Sequence, residues 1–289
     1  MISEEKKNSF LYHSYKQLKK NPVAVVSFFI LCFYLLLALL AILGFVGSDY
    51  NLVNNQNAYA PSSWQYWFGT DIFGRNILSR AIHGTSTALA VGFFSTTLAM
   101  LIGITLGSFA GYFGGKVDDL VVWFYTTVDY IPYILLISAF AFILGQGLIN
   151  LYLALGLTSW VTVCRLVRGE FIKHKNREYV FAATAMGASH SRRIFLHILP
   201  NVFHITIIQF SLGFVQAIKL EVILSYLGLG VEPGTPSWGL MIDDAKLEIA
   251  RGIWGNLAAA TIFMFFLILS VNLFNDALRD ALDPKLKTH

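Results

Sequence analysis

Residues 86–115 read STALAVGFFSTTLAMLIGITLGSFAGYFGG, thirty positions without a charged side chain. The hydrocarbon core of a bilayer is about 30 Å thick, and a helix crosses it with about 20 apolar residues. The stretch is longer than one crossing needs, and a water-soluble domain has no place for it on its surface. Its glycines carry a second pattern: Gly103, Gly107 and Gly111 fall four apart, with Gly115 continuing the row. Small residues at that spacing share one helix face and let another backbone come close. A tight helix crossing is predicted there, with nothing to say which helix is the partner.

Five more runs repeat the apolar pattern. Residues 23–47 hold no charge, 120–147 hold only Asp129, and 148–164 is a shorter run extended by Arg165 and Arg168, which can snorkel. Residues 198–230 hold Lys219 and Glu221, and 253–275 are uncharged beside Trp254, an interface anchor. The fold class is therefore an all-α integral membrane protein with six transmembrane helices. Across 289 residues, 56% are hydrophobic and 13% charged, and the mean hydropathy is +0.61. Ordinary globular domains carry about 25% charge, so a soluble enzyme is excluded. Cys32 and Cys164 both lie in apolar runs and imply neither a disulfide framework nor a metal pair.

Charge placement gives the topology. With the N-terminus inside, the inner segments hold sixteen of the 21 Lys and Arg residues, the outer segments four, and Lys219 lies within a span. That bias puts both termini in the cytoplasm. It also accounts for the net charge of +4 without a nucleic-acid partner, for which no RNP-like, helix-turn-helix or zinc-finger pattern exists. The first run is too long for a signal-peptide core and lacks an Ala-x-Ala-like site, so it reads as an uncleaved span. The expected order is a cytoplasmic segment 1–22, a first transmembrane helix 23–47, and an extracytoplasmic loop 48–85. A five-helix core at 86–275 follows, with a cytoplasmic loop at about 169–197, and then a cytoplasmic tail 276–289.

Catalytic motifs are missing. Gly114-Gly115-Lys116-Val117 lacks the glycine at 110 and the hydroxyl that a phosphate-binding loop needs. No H-E-x-x-H, C-x-x-C or G-x-S-x-G occurs. His190, His197 and His204 recur every seven residues, but without a carboxylate or cysteine they read as surface or interface residues. No catalytic residue and no metal site is expected. Ionisable groups inside spans are costly and usually face a cavity or one another, which makes Asp129, Lys219 and Glu221 candidates for a translocation path. Structural roles at helix contacts fit them equally well. Asp129 precedes Tyr130-Ile131-Pro132, near a kink or toward the cytoplasmic end. Lys219 and Glu221 point about 200° apart on a helix and cannot pair on one face.

The inner loop is the most informative segment. It runs Arg177-Glu178-Tyr179-Val180-Phe181-Ala182-Ala183-Thr184-Ala185-Met186-Gly187-Ala188-Ser189 and reaches Ile198-Leu199-Pro200-Asn201. A short helix, a sharp turn at Gly187 and a second helix carrying Arg192 and Arg193 are predicted. Pro200 then begins the next span, where its missing N–H is harmless. Such a knob suits docking into a cleft of another protein, and an ordinary amphipathic loop fits the spacing as well.

This segment resembles the EAA loop of ABC importer permeases, E-A-A-x-x-x-G-x9-I-x-L-P. Ala182, Ala183, Gly187, Leu199 and Pro200 match, while Phe181 and His197 depart. Phe68-Gly69-Thr70-Asp71-Ile72-Phe73-Gly74-Arg75-Asn76, Leu224–Gly230 through Pro236–Gly239, and Asp276–Pro284 resemble the second permease subunit of the peptide and nickel branch. After Gly84 the chain has Thr85-Ser86-Thr87 where that family often has an arginine. Lys219 is unusual for its position, and Glu221 stands where an acid is common.

The resemblance implies a type I importer permease of MetI-like fold, multi-pass in the cell membrane of a prokaryote. Its partners would be a sister permease, two cytoplasmic ABC ATPase subunits, an extracytoplasmic substrate-binding protein and the lipid bilayer. No cofactor is expected on this chain; ATP and Mg belong to the ATPases. Glu178, Ala182, Ala183, Gly187, Ala188, Leu199 and Pro200 would form the ATPase-coupling loop, with Ala182 and Ala183 on the face buried against the ATPase. Peptides are the leading cargo, and nickel or a metal–chelator complex the second. A proton-coupled secondary transporter using Asp129 and Glu221 is the rival from another class.

Overall fold

A computed structural model describes residues 16–282. Residues 1–15 and 283–289 lie outside the described residues, and with them most of the expected N-terminal segment and the end of the tail. The described residues include ten α-helices: α1 (Pro22–Ile42), α2 (Ile77–Phe113), α3 (Gly115–Asp129), α4 (Tyr133–Leu144), α5 (Leu148–Thr158), α6 (Trp160–His174), α7 (Glu178–Ala185), α8 (His190–Tyr226), α9 (Trp238–Ile249) and α10 (Gly255–Leu282). No β-strand occurs among the described residues; Thr70 and Asn76 form an isolated bridge.

Five helices or helix pairs are long and apolar enough to cross a membrane, and α3 with α4 makes a sixth if the bent pair counts as one span. Helix α1 starts where Asn21 accepts from the Val23 and Ala24 amides, with Pro22 in the first turn. It stops at Ile42 rather than at 47, because Gly44 and Gly47 turn the chain through positive φ. The run 120–147 is not one straight helix. It bends by 89° between α3 and α4, since Pro132 disfavours a helical Ile131 before it. The fourth run extends past Cys164 to His174, with a break at Ser159 between α5 and α6.

Pro200 does not begin its helix. Helix α8 runs unbroken from His190 to Tyr226, and Pro200 lies inside it. A proline there would collide with the carbonyl four residues back and removes one hydrogen bond. The six residues Arg193–Ile198 adopt π-helical geometry, and that wider winding lets the helix pass the proline. The expected second short helix is thus the first turns of that long helix.

The chain divides into two compact units, one of residues up to Gly92 with Gln146–Leu148 and Ile218 onward, the other of Phe93–Gly145 and Ile149–Ala217. In the first unit α1 lies along α10, where Tyr34 donates its hydroxyl to the Phe263 carbonyl at 2.9 Å. Trp238 at the head of α9 is buried against Gly84, whose added Cβ would stand 2.8 Å from Trp238 Cδ1. Its indole N–H donates to the Ala81 carbonyl at 2.9 Å.

In the second unit the glycine row finds its partner, α6. A Cβ at Gly103 would meet the Trp160 carbonyl oxygen at 2.8 Å, one at Gly107 the Cys164 oxygen at 2.6 Å, and one at Gly111 the Arg168 oxygen at 2.6 Å. The close crossing expected from small-residue spacing is present. Gly115 does not continue it: that residue opens α3 with φ +51° and nothing within 4 Å of an added Cβ.

Candidate functional site: the α7–α8 knob and the charges within spans

Helix α7 is eight residues long and ends by a Schellman motif. The Ala188 amide donates to the Ala183 carbonyl at 3.0 Å, and the Gly187 amide to the Thr184 carbonyl at 2.9 Å. Such a cap needs a left-handed residue, and Gly187 supplies it with φ +81°. Two residues on, Ser189 caps α8 by accepting from the Arg192 amide at 3.3 Å. The turn expected at Gly187 is therefore present, with its chemical reason.

The knob is mounted firmly on its own unit. Val180, Ile194 and Ile198 are buried in one apolar cluster with Met100, Val163, Val167, Phe171 and Val202. Tyr112 Oη lies 2.9 Å from His190 Nδ1, and His174 Nδ1 lies 2.8 Å from Tyr179 Oη. Arg193 donates to Thr184 Oγ1 at 3.0 Å. Ala183 is buried within the chain and Ala182 is exposed. Glu178 and Pro200 are exposed, and Ala188 and Leu199 half-buried. The outward tip presents Phe181, 60% exposed, and Met186, 80% exposed.

The intramembrane charges fall into three different settings. Asp129 is the last residue of α3, at the bend, and pairs with Arg165 at 2.6 Å; both side chains are half-exposed. Arg168 pairs with Asp118, and both of those side chains are mostly buried. Glu221 is 1% exposed. Its Oε1 accepts from Ser225 at 2.8 Å and from Ser237 at 2.5 Å. Ser237 in turn accepts from the amides of Gly239 and Leu240 as the cap of α9. Glu221 thus joins α8 to the start of α9 as a polar helix contact. Lys219, two residues earlier, is exposed. Among the described residues, no three His, Cys, Asp or Glu side chains are grouped to hold a metal.

One polar assembly escaped the sequence reading. Asp71 is fully buried and accepts from the amides of Phe73 and Arg75 at 2.9 Å each, from Arg75 Nε at 2.7 Å and from Arg80 Nη1 at 2.7 Å. Arg80 also reaches Asp244 on α9 at 3.1 Å. Below it, Asn256 donates to both oxygens of buried Glu248 at 3.0 Å. Burial pushes the Glu248 carboxyl above its usual range, Asn256 pulls it back, and the charges of Asp244 and Asp71 add to the rise against Arg80. The segment 68–76 gave a signal as a motif, but its partner Asp244 lies 173 positions from Asp71 in sequence and no local spacing points to it.

Long apolar helices, a close small-residue crossing between α2 and α6 and a capped two-helix knob define a polytopic membrane protein. The chain belongs to the family described as the binding-protein-dependent transport system inner membrane component, whose model matches residues 103–288. Residues 9–61 match a second model, the N-terminal TM domain of oligopeptide transport permease C. It is similar to the dipeptide transport system permease protein DppC of Alkalihalophilus pseudofirmus, with 39% identity over 95% of this chain and 90% of that one. It is also similar to the oligopeptide transport system permease protein OppC of Bacillus subtilis, with 35% identity over 93% and 88%. The glutathione transport system permease protein GsiD of Pectobacterium atrosepticum is 38% identical over 83% and 78%. The chain is a transport permease and not an enzyme.

Proposed function

We propose that this chain is one of two permease halves of an ATP-driven importer for peptides, working with a sister permease, two cytoplasmic ATPase subunits and an extracytoplasmic binding protein. The α7–α8 knob carries the reading. Its apolar tip, Phe181 and Met186, is exposed while its base is locked into the unit's core, the arrangement a rigid transmitter requires. Docked in an ATPase cleft, the knob converts closure of the ATPases into motion of the helices it is built on. ATP and its Mg bind the ATPases, and ATP favours the state it binds more tightly. Both termini lie in the cytoplasm on this reading, as the lysine and arginine bias supports, and the cell membrane houses the complex.

Peptides rank ahead of nickel because relatives over most of the chain are named for dipeptides, oligopeptides and glutathione. A proton-coupled carrier is disfavoured by the settings of its two required acids, Asp129 in an ion pair and Glu221 clasped by two serines. The test is uptake of a labelled dipeptide into proteoliposomes holding the whole complex with its binding protein. ATP-dependent uptake is expected. Uptake driven by a proton gradient without ATP, or a preparation that never retains an ATPase, would reject the proposal.

A further inference from the structure

Lys219 stands apart from every other cation within the spans. Arg80, Arg165, Arg168 and Lys173 each have a carboxylate within 4 Å. Lys116, Arg192, Arg193 and Arg279 lie in the first or last turn of their spans. Among the described residues, Lys219 alone is a cation away from the ends of a span with no ion-pair partner. Glu221 cannot serve it, being buried on the other side of α8 with Oε1 taken by Ser225 and Ser237.

The same helix face stays partly open toward its end, where Lys246 lies over the Tyr226 ring. Lys219 is exposed, as are Ile223 at 41% and Tyr226 at 38%; these positions are four and three apart and form one stripe. Against lipid, an ammonium there is strongly unfavourable. Snorkelling does not rescue it. The near end of α8 at Tyr226 is seven residues away, about 10 Å along the axis. Helical side chains tilt toward the helix N-terminus, so the four-carbon stem of Lys219 leads away from that end. At Tyr226 the cation is a different one, Lys246, which already has Asp243 at 2.6 Å.

We propose that Lys219 faces the water-filled translocation path and supplies a counter-charge for a carboxylate of the passing peptide, biasing this importer toward cargo rich in negative charge. The inference rests on the peptide-import reading above. A peptide carries at least its terminal carboxylate, and acidic side chains add more. A lysine suits a transient contact, because its ammonium is a hydrated point charge on a flexible stem and does not lock a carboxylate in a two-pronged grip. The binding protein selects what arrives; Lys219 acts on how fast it passes.

The experiment uses the complete complex in proteoliposomes at saturating binding protein, with the affinity of that protein for each peptide measured separately. Two labelled tripeptides are compared, one with two glutamates and one neutral, for the parent, Lys219→Met and Lys219→Arg. A charge contact across water at close range corresponds to about fivefold. Lys219→Met is therefore expected to lower the ratio of acidic to neutral uptake by about that factor, and Lys219→Arg to keep it. Lys219→Cys should react with a water-soluble anionic thiol reagent in the assembled complex.

An unchanged ratio in Lys219→Met, with neutral uptake intact, overturns the proposal. So does loss of the sister permease on purification of Lys219→Met, which would assign the lysine to a carboxylate of that subunit. Failure of the Lys219→Cys complex to take up the thiol reagent at that position also overturns it. Failure of the parent complex to import either peptide would instead strike the peptide-import reading itself.

Discussion

Replacing Gly187 by valine is expected to uncouple ATP hydrolysis from transport while leaving the permease folded. Gly187 holds φ at +81°, and nothing lies within 4 Å of an added Cβ. Within this chain the perturbation is therefore backbone strain alone. Left-handed geometry costs an ordinary residue roughly 1–2 kcal/mol, and a β-branched one more. Against a stability of about 5–15 kcal/mol for a folded domain, that loss is tolerable. Applied to the one turn that sets α7 against α8, it shifts the turn's population about tenfold for each 1.4 kcal/mol.

A series separates strain from crowding in the ATPase cleft. Asparagine accepts the left-handed region but is bulky, whereas alanine is small but strained. If the Schellman turn governs coupling, activity should run Gly, then Asn, then Ala, then Val. If cleft space governs it, alanine should outperform asparagine. The assay is substrate-stimulated ATP hydrolysis and peptide uptake by the reconstituted complex, alongside co-purification of the ATPase. Valine is expected to lower both activities about tenfold or more with the sister permease retained. Parental rates for Gly187→Val would refute the assignment of the knob as transmitter.

Three further outcomes are expected. Single cysteines at Asn57 and Gly234 should label from outside intact cells and one at Lys175 only after permeabilisation; external labelling at 175 would reverse the proposed orientation. Gly107→Leu forces its Cβ to within 2.6 Å of the Cys164 oxygen, an overpacked contact that should cost about 1–3 kcal/mol and lower the melting temperature of the purified permease. An unchanged melting temperature would mean that the α2–α6 crossing is looser than described. Glu248 has its carboxyl pushed upward by burial, so the folded state binds its proton more tightly than the unfolded chain does. Its contribution is full below the ordinary carboxylate range and is lost as pH rises through the raised value. The stability of the parent should therefore fall relative to Glu248→Gln on going from acid toward neutral pH, and a constant difference between the two would contradict the buried setting.

Length of apolar run, spacing of small residues and the pattern of the inner loop were legible one-dimensionally, because bilayer thickness, helix period and capping chemistry are local constraints. They determined an all-helical membrane chain, a close crossing at Gly103, Gly107 and Gly111, and a turn at Gly187. The same local reasoning went astray at Pro200, since a proline's effect depends on whether the preceding helix can rewind, and the π-helical turn Arg193–Ile198 does so.

Tertiary structure alone named α6 as the partner of the glycine row, joined Asp71 to Asp244 through Arg80, and gave opposite surroundings to Lys219 and Glu221. The sequence states that those last two side chains diverge by about 200°, but not which of them faces the protein. That choice belongs to the summed packing of α8 against elements remote in the chain, where Ser237 arrives to donate to the carboxylate and, among the described residues, no carboxylate reaches the ammonium.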